Sequence, residues 1–127
     1  MSNAVDFDPT IESFCCNINR VPENVVKYGY ATFVHLDGCC ILCKASVIQK
    51  IGLFDETFDF YFQDDDYCEQ LKKHGIKHAK VMNSMAIHVA SQTVPERSDM
   101  KLLFDGRDKF IAKYGKDCYL QREHEKY

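Results

Sequence analysis

The stretch that most restricts how this chain folds is Gly52-Leu53-Phe54-Asp55-Glu56-Thr57-Phe58-Asp59-Phe60-Tyr61-Phe62-Gln63-Asp64-Asp65-Asp66-Tyr67-Cys68, where aromatic residues run into three consecutive carboxylates at the mouth of a helix. Packed aromatics wall off a site, and adjacent carboxylates supply a base or hold a cation when they are not simply solvated. Asp is equally at home at helix N-caps and in first turns, where its oxygens take free N–H groups and meet the positive end of the helix dipole. The acidic block therefore has a structural and a chemical reading.

The segment that follows spaces Tyr67, Cys68 and Leu71 on one face and leaves Glu69, Gln70, Lys72 and Lys73 for water, which predicts a helix over Tyr67 to His74. Asp66, three residues before Glu69, gives a capping-box-like start. Lys72 and Lys73 in the last turn, with Gly75 as the stop, mark its end.

Upstream, Val5 to Lys27 has few periodic apolar positions and contains Asn17, Asn19, Pro22 and Asn24, so it reads as peripheral loop. Tyr30 to His35 reads as a strand ending in a turn at Asp37-Gly38. Cys39 to Cys43 is a wholly apolar run of the kind buried on both faces of a sheet. Ala45 to Ile51 reads as a short helix, and Gly52 suits the left-handed position just past it. Downstream of Gly75, Lys77 to Met82 and Ala86 to Val89 read as two short strands around Asn83-Ser84, with His88 inside the second. Pro95 opens a long helical stretch, interruptible at Gly106, that offers Leu102, Leu103, Phe104, Phe110 and Ile111 for burial and stops at Tyr114-Gly115. The charged residues from Lys116 to Tyr127 are expected to fray. No repeat or low-complexity tract is present.

The elements amount to an α/β domain: a small mixed sheet flanked by helices, with a helix at its C-terminal end. Met1 to Ala4 reads as an expression-tag remnant, which leaves residues 5–127 as a single domain. Hydrophobic content of 46% and charged content of 28% suit a soluble globular protein, and no run approaches a membrane span. A net charge of −3 without a basic run argues against nucleic acid as a partner. Seven cysteines raise the question of a metal site, but Cys39-Cys40-Ile41-Leu42-Cys43 has no second ligand pair to match it. Free thiols packed as small hydrophobes in a reducing cytoplasm account for them. A calcium loop between Asp55 and Asp66 lacks the central Gly and terminal Glu of an EF-hand.

Gly38…Gly52-Leu53-Phe54-Asp55-Glu56…Phe58…Phe62-Gln63-Asp64-Asp65-Asp66…Leu71…Gly75…His88 resembles the C-terminal, acceptor-side half of inverting family 2 glycosyltransferases with the GT-A fold. Phe110-Ile111-Ala112-Lys113-Tyr114-Gly115 is similar to the aromatic-basic end of that family's closing helix. The resemblance implies that Asp64 is the general base for the acceptor hydroxyl, and that Gln63 and Asp65 take part in substrate binding. Gln63 departs from the family, which carries Glu there; Gln donates and accepts hydrogen bonds but holds no charge. Asp66 matches the second acid of the pattern, and its expected task is to cap the helix. The resemblance also makes His88 a ligand of a divalent metal, Mn or Mg, in the complete enzyme. The other histidines, His35, His74, His78 and His124, have no such context and are expected at the surface or rim.

A nucleotide sugar and a saccharide or other hydroxyl acceptor are the implied partners, and polysaccharide synthesis in the cytoplasm, at or away from a membrane surface, is the implied setting. No upstream strand-helix-strand half ending in Asp-x-Asp precedes Gly38. The chain alone is therefore expected to be inactive, to need no metal of its own, and to self-associate through a truncated sheet edge. The alternative is a non-catalytic carbohydrate- or partner-binding module.

Overall fold

In the computed structural model, which describes residues 8–18, 30–89 and 96–118, four strands form one mixed sheet. They are β1 (Ser13–Ile18), β2 (Tyr30–Thr32), β3 (Ile41–Cys43) and β4 (His78–Ala86), in the order β2-β4-β1-β3. Strands β1 and β4 run parallel, and β2 and β3 pair antiparallel to them at the two edges. Three helices accompany the sheet among the described residues: α1 (Ala45–Ile51), α2 (Gln63–Lys73) and α3 (Glu96–Tyr114). This is the expected α/β class. Residues 1–4, Pro95 and His124 lie outside the described residues.

Strand β1 corrects the expectation that residues 5–27 are peripheral loop. It is a central strand, with Ser13, Phe14, Cys15, Cys16 and Asn17 all buried. A strand with partners on both edges and cover on both faces need not alternate apolar and polar residues. Its polar members need hydrogen bonds instead, and the Ser13 hydroxyl lies 2.9 Å from the Tyr67 hydroxyl of α2. Burial pushes the Tyr67 hydroxyl well above the ordinary tyrosine range, so it serves as a neutral partner.

The run Cys39 to Cys43 is corrected in the opposite sense. Gly38 and Cys39 form a turn, Cys39 and Leu42 are exposed, and only Ile41–Cys43 pairs, with β1 alone. Among the described residues β3 is therefore an edge, and such edges recruit further strands. The chain should self-associate on concentration in sedimentation velocity, and Leu42→Lys should weaken that association. A monomer at every concentration would show that the edge is not available for pairing.

The sheet carries a separate apolar cluster on each face. Cys15, Leu36, Val47, Tyr67, Cys68, Leu71 and Ile76 pack together beneath α1 and α2. Leu71 is fully buried there, which stabilises the fold by about 1.5–3 kcal/mol. Ile11, Phe14, Ala79 and Val81 form the second cluster, as the alternation of strand side chains requires. A third cluster, Phe58, Phe62, Phe110 and Cys118, joins the aromatic stretch to α3.

Helix α2 begins at Gln63, four residues earlier than its apolar spacing predicts, after Phe62 in the left-handed conformation (φ 74°). Phe62 holds that conformation because its ring is buried against Phe110, 5.8 Å between centroids. Helix α3 runs unbroken through Gly106. A Cβ at Gly106 would sit 2.8 Å from the Phe62 ring and 3.0 Å from the Tyr61 carbonyl oxygen, so glycine here permits close packing and is not a break. Phe104 and Ile111 remain exposed on this helix, while Phe110 is buried as expected. Of the two short strands expected around Asn83-Ser84, the first continues without a gap through Asn83-Ser84 to Ala86 as β4, whose register against β1 slips at that place, from Cys16↔Val81 to Asn17↔Met85, while Ile87, His88 and Val89 are not in a strand. None of the helices among the described residues is long and apolar enough to cross a membrane.

Candidate active site

The site forms where the loop between β2 and β3 lies across the first turn of α2. Phe33 leaves β2 with φ 59°, its N–H donating to the His78 carbonyl at 2.9 Å, and turns the chain toward the helix. The Leu36 N–H then meets the Cys68 Sγ at 3.3 Å in the core. Burial pushes that thiol up to about 12, so it stays protonated and structural. This one docking point sets His35, Asp37 and Gly38 beside the three acids of α2.

The acids separate into different environments. Asp64 is the most open, its side chain 29% exposed against 7% for Asp65 and 5% for Asp66. Its Oδ2 accepts the Gly38 N–H at 3.1 Å and its Oδ1 accepts the Asp65 N–H at 3.0 Å. Gly38 leaves room for that approach, since a Cβ there would lie 3.1 Å from the Asp64 Cβ. Asp64 thus braces loop to helix and keeps part of its surface toward solvent.

His35, expected at the surface or rim, sits between two carboxylates of the site. Its Nε2 is 3.5 Å from Asp64 Oδ2 and its Nδ1 is 3.4 Å from Asp65 Oδ1. Nothing local in the sequence signals this, because the contacts depend on a loop folding onto a helix 29 residues later in number. His78 is likewise internal: it is fully buried, with Nδ1 3.0 Å from the Ile76 carbonyl oxygen. His74 does lie at the surface, beside the Gln70 carbonyl. Nearby, the buried Lys80 ammonium meets Asp37 Oδ2 at 2.7 Å and ties the loop to the centre of the sheet.

Asp66 does not cap α2; no side chain bonds at that cap. Its Oδ1 accepts from Lys113 Nζ at 2.6 Å and from the Tyr114 hydroxyl, so it anchors the end of α3. Burial opposes the charge on Lys113, but hydrogen bonds to Asp55 and Asp66 outweigh it and hold its pKa above the ordinary lysine range. Burial, followed by the bond to Asp66, pushes Tyr114 up to about 12. Gln63 donates from Nε2 to the Phe58 carbonyl at 3.0 Å and so holds the aromatic stretch in place.

His88 lies past the end of β4 and is exposed. Among the described residues no group of three or more His, Cys, Asp or Glu side chains is arranged to hold a metal ion. His88 alone does not make such a site.

No family model and no solved structure matches the chain. Among curated proteins it is similar to the low-salt glycan biosynthesis hexosyltransferase Agl10 of the archaeon Haloferax volcanii, 27% identical over 81 residues. The match covers 61% of this chain and 26% of that protein, so the chain spans about a quarter of its relative's length. This distant and partial similarity is a glycosyltransferase relation. It agrees in kind with the resemblance carried by Gly38 to His88.

Proposed function

We propose that the chain is the acceptor-side part of an inverting GT-A glycosyltransferase, acting from a nucleotide-sugar donor, with Asp64 as the general base. The observation that carries this reading is the division among three adjacent acids. Asp66 is committed to Lys113 and Tyr114, Asp65 is buried beside His35, and Asp64 keeps the most exposed carboxylate. Asp64 takes the proton of an acceptor hydroxyl as its oxygen attacks the anomeric carbon from the face opposite the leaving nucleoside diphosphate. The Gly38 and Asp65 N–H groups fix the carboxylate, and His35 faces it from the loop. Positioning of this kind confines the base to one direction of approach. A Mn or Mg ion in the complete enzyme would offset charge on the departing diphosphate. The described residues around His88 do not by themselves fit such an ion.

The match to about a quarter of a hexosyltransferase supports a donor site supplied from outside these residues. The isolated chain is accordingly expected to show no micromolar binding of UDP- or GDP-sugars in calorimetry with manganese, and no turnover. Micromolar binding by this chain alone would overturn the half-site reading.

A second reading, a carbohydrate-binding module without catalysis, is favoured by one feature of the same geometry. Both oxygens of Asp64 already accept backbone N–H groups, and Gln63 is occupied with Phe58, as expected of purely structural braces. Glycan binding that needs no donor and survives Asp64→Asn would support it.

A further inference from the structure

Strands β1 and β3 carry a feature outside the proposed catalytic reading. Their antiparallel register pairs Ser13 with Cys43, Phe14 with Leu42 and Cys15 with Ile41. Continued by one residue past the start of β3, the same register places Cys16 opposite Cys40. Opposed residues of an antiparallel pair share a face, with Cα atoms about 4.5–5.5 Å apart, within the range of about 4.4–6.8 Å that a disulfide spans. The two side chains are neighbours: after burial, the adjacent Cys40 thiol is what pushes the Cys16 thiol above its ordinary range. Both are free thiols, Cys16 buried and Cys40 half-buried, so one of the pair is open to reagents and the other lies directly behind it.

From this placement we infer that Cys16 and Cys40 are a thiol–disulfide modification site, oxidised to a cross-strand disulfide by small disulfides of the glutathione class. The Cys40 thiolate attacks one sulfur of the small disulfide, forming a mixed disulfide and releasing one small thiol. The Cys16 thiolate then attacks the Cys40 sulfur, the bond between the strands forms, and the second small thiol leaves. The protons of Cys16 and Cys40 end on the two released thiols, and the small disulfide is reduced by the two electrons the pair gives up. The order follows from access. Cys40, half-buried, meets the small disulfide first, and the buried Cys16 reacts second, within the chain.

The bond would close beside the candidate site. The Cys40 N–H donates to the Asp37 carbonyl at 3.3 Å, Asp37 pairs with Lys80, and the next residue, Gly38, holds Asp64. Pinning Cys40 to β1 fixes one end of that loop.

The test incubates the chain with oxidised glutathione, alkylates the remaining thiols under denaturing conditions and maps linked peptides by mass spectrometry. The expected result is a fall in alkylated cysteines from seven to five and one link between the Cys16 and Cys40 peptides. The link should disappear in Cys16→Ser and in Cys40→Ser, persist in Cys15→Ser and Cys39→Ser, and be reversed by dithiothreitol. Cys40 is only half-buried, so Cys40→Ser keeps the test decisive if Cys16→Ser does not fold. Seven alkylated thiols after oxidation, a glutathione adduct that never resolves, or a link that survives Cys40→Ser would each overturn the assignment.

Discussion

Replacing Asp64 by Asn in the complete enzyme is expected to lower turnover by about 10²- to 10⁴-fold, the usual cost of losing a positioned general base. The geometry makes this a discriminating substitution. An Asn side chain keeps one oxygen for the Gly38 or Asp65 N–H but turns a donating amide toward the other. The structural cost is one backbone N–H without its acceptor, about 1–3 kcal/mol where the group is buried and less where water reaches it. Asp64 is partly exposed, so melting should drop only modestly while turnover collapses, and donor affinity should stay unchanged. Turnover, donor affinity and melting measured on one preparation separate the two roles. Near-normal turnover with a lowered melting temperature would make Asp64 a brace between loop and helix, and the base would lie elsewhere.

Asp66→Ala is expected to destabilise the fold by about 2 kcal/mol, and Asp66→Asn by a comparable amount. Removing one partner of a buried ion pair costs about 3–5 kcal/mol when the other charge is stranded. Here the cost is smaller, because Lys113 keeps Asp55, is about a third exposed, and Tyr114 keeps Gln70. A helix cap would behave differently: Asn is as good a cap as Asp, so Asp66→Asn would be silent. The decisive measurement is a double-mutant cycle between Asp66→Asn and Lys113→Met, followed by denaturant unfolding. Coupling of about 1 kcal/mol or more is expected for groups in direct contact. Strict additivity, or an unchanged midpoint in Asp66→Asn, would return Asp66 to a minor local role. The anchored residues also explain how α3 stays on the aromatic stretch, since the exposed pair of Lys109 with Asp59 contributes little by itself. Phe110, packed among Phe58 and Phe62, supplies the apolar part of that attachment.

Asp64 and Asp66 belong to one row of three carboxylates, and the sequence distinguishes their roles only in part. Three adjacent carboxylates at a helix start are legible as a place where charge is concentrated. Which acid is spent on structure depends on Lys113 and Tyr114, which reach Asp66 from 47 and 48 residues away. His35 illustrates the same limit. Its neighbours in the chain are those of a strand end, yet its contacts are with the helix that the loop folds against.

What the sequence determined by itself was local. Helix α1 with its stop at Gly52, the end of α2 at Gly75 and the end of α3 at Gly115 are all readable from apolar spacing and glycine placement. All three glycines have positive φ in the structure, as such stops require. The irregularity near Asn83-Ser84 was readable as well, although it is a register slip within β4 and not a gap between strands. The tertiary structure alone decided that β1 is central and β3 is an edge. Ser13–Ile18 is read as loop from its polar letters, and it becomes a buried strand because β4 and β3 flank it and Tyr67 satisfies Ser13. Ile41–Cys43 is apolar throughout and is still half-exposed, because only β1 pairs with it among the described residues. Helix periodicity is set by hydrogen bonds four residues apart and so is written locally, whereas a strand's burial is set by partners distant in sequence, which no local pattern specifies.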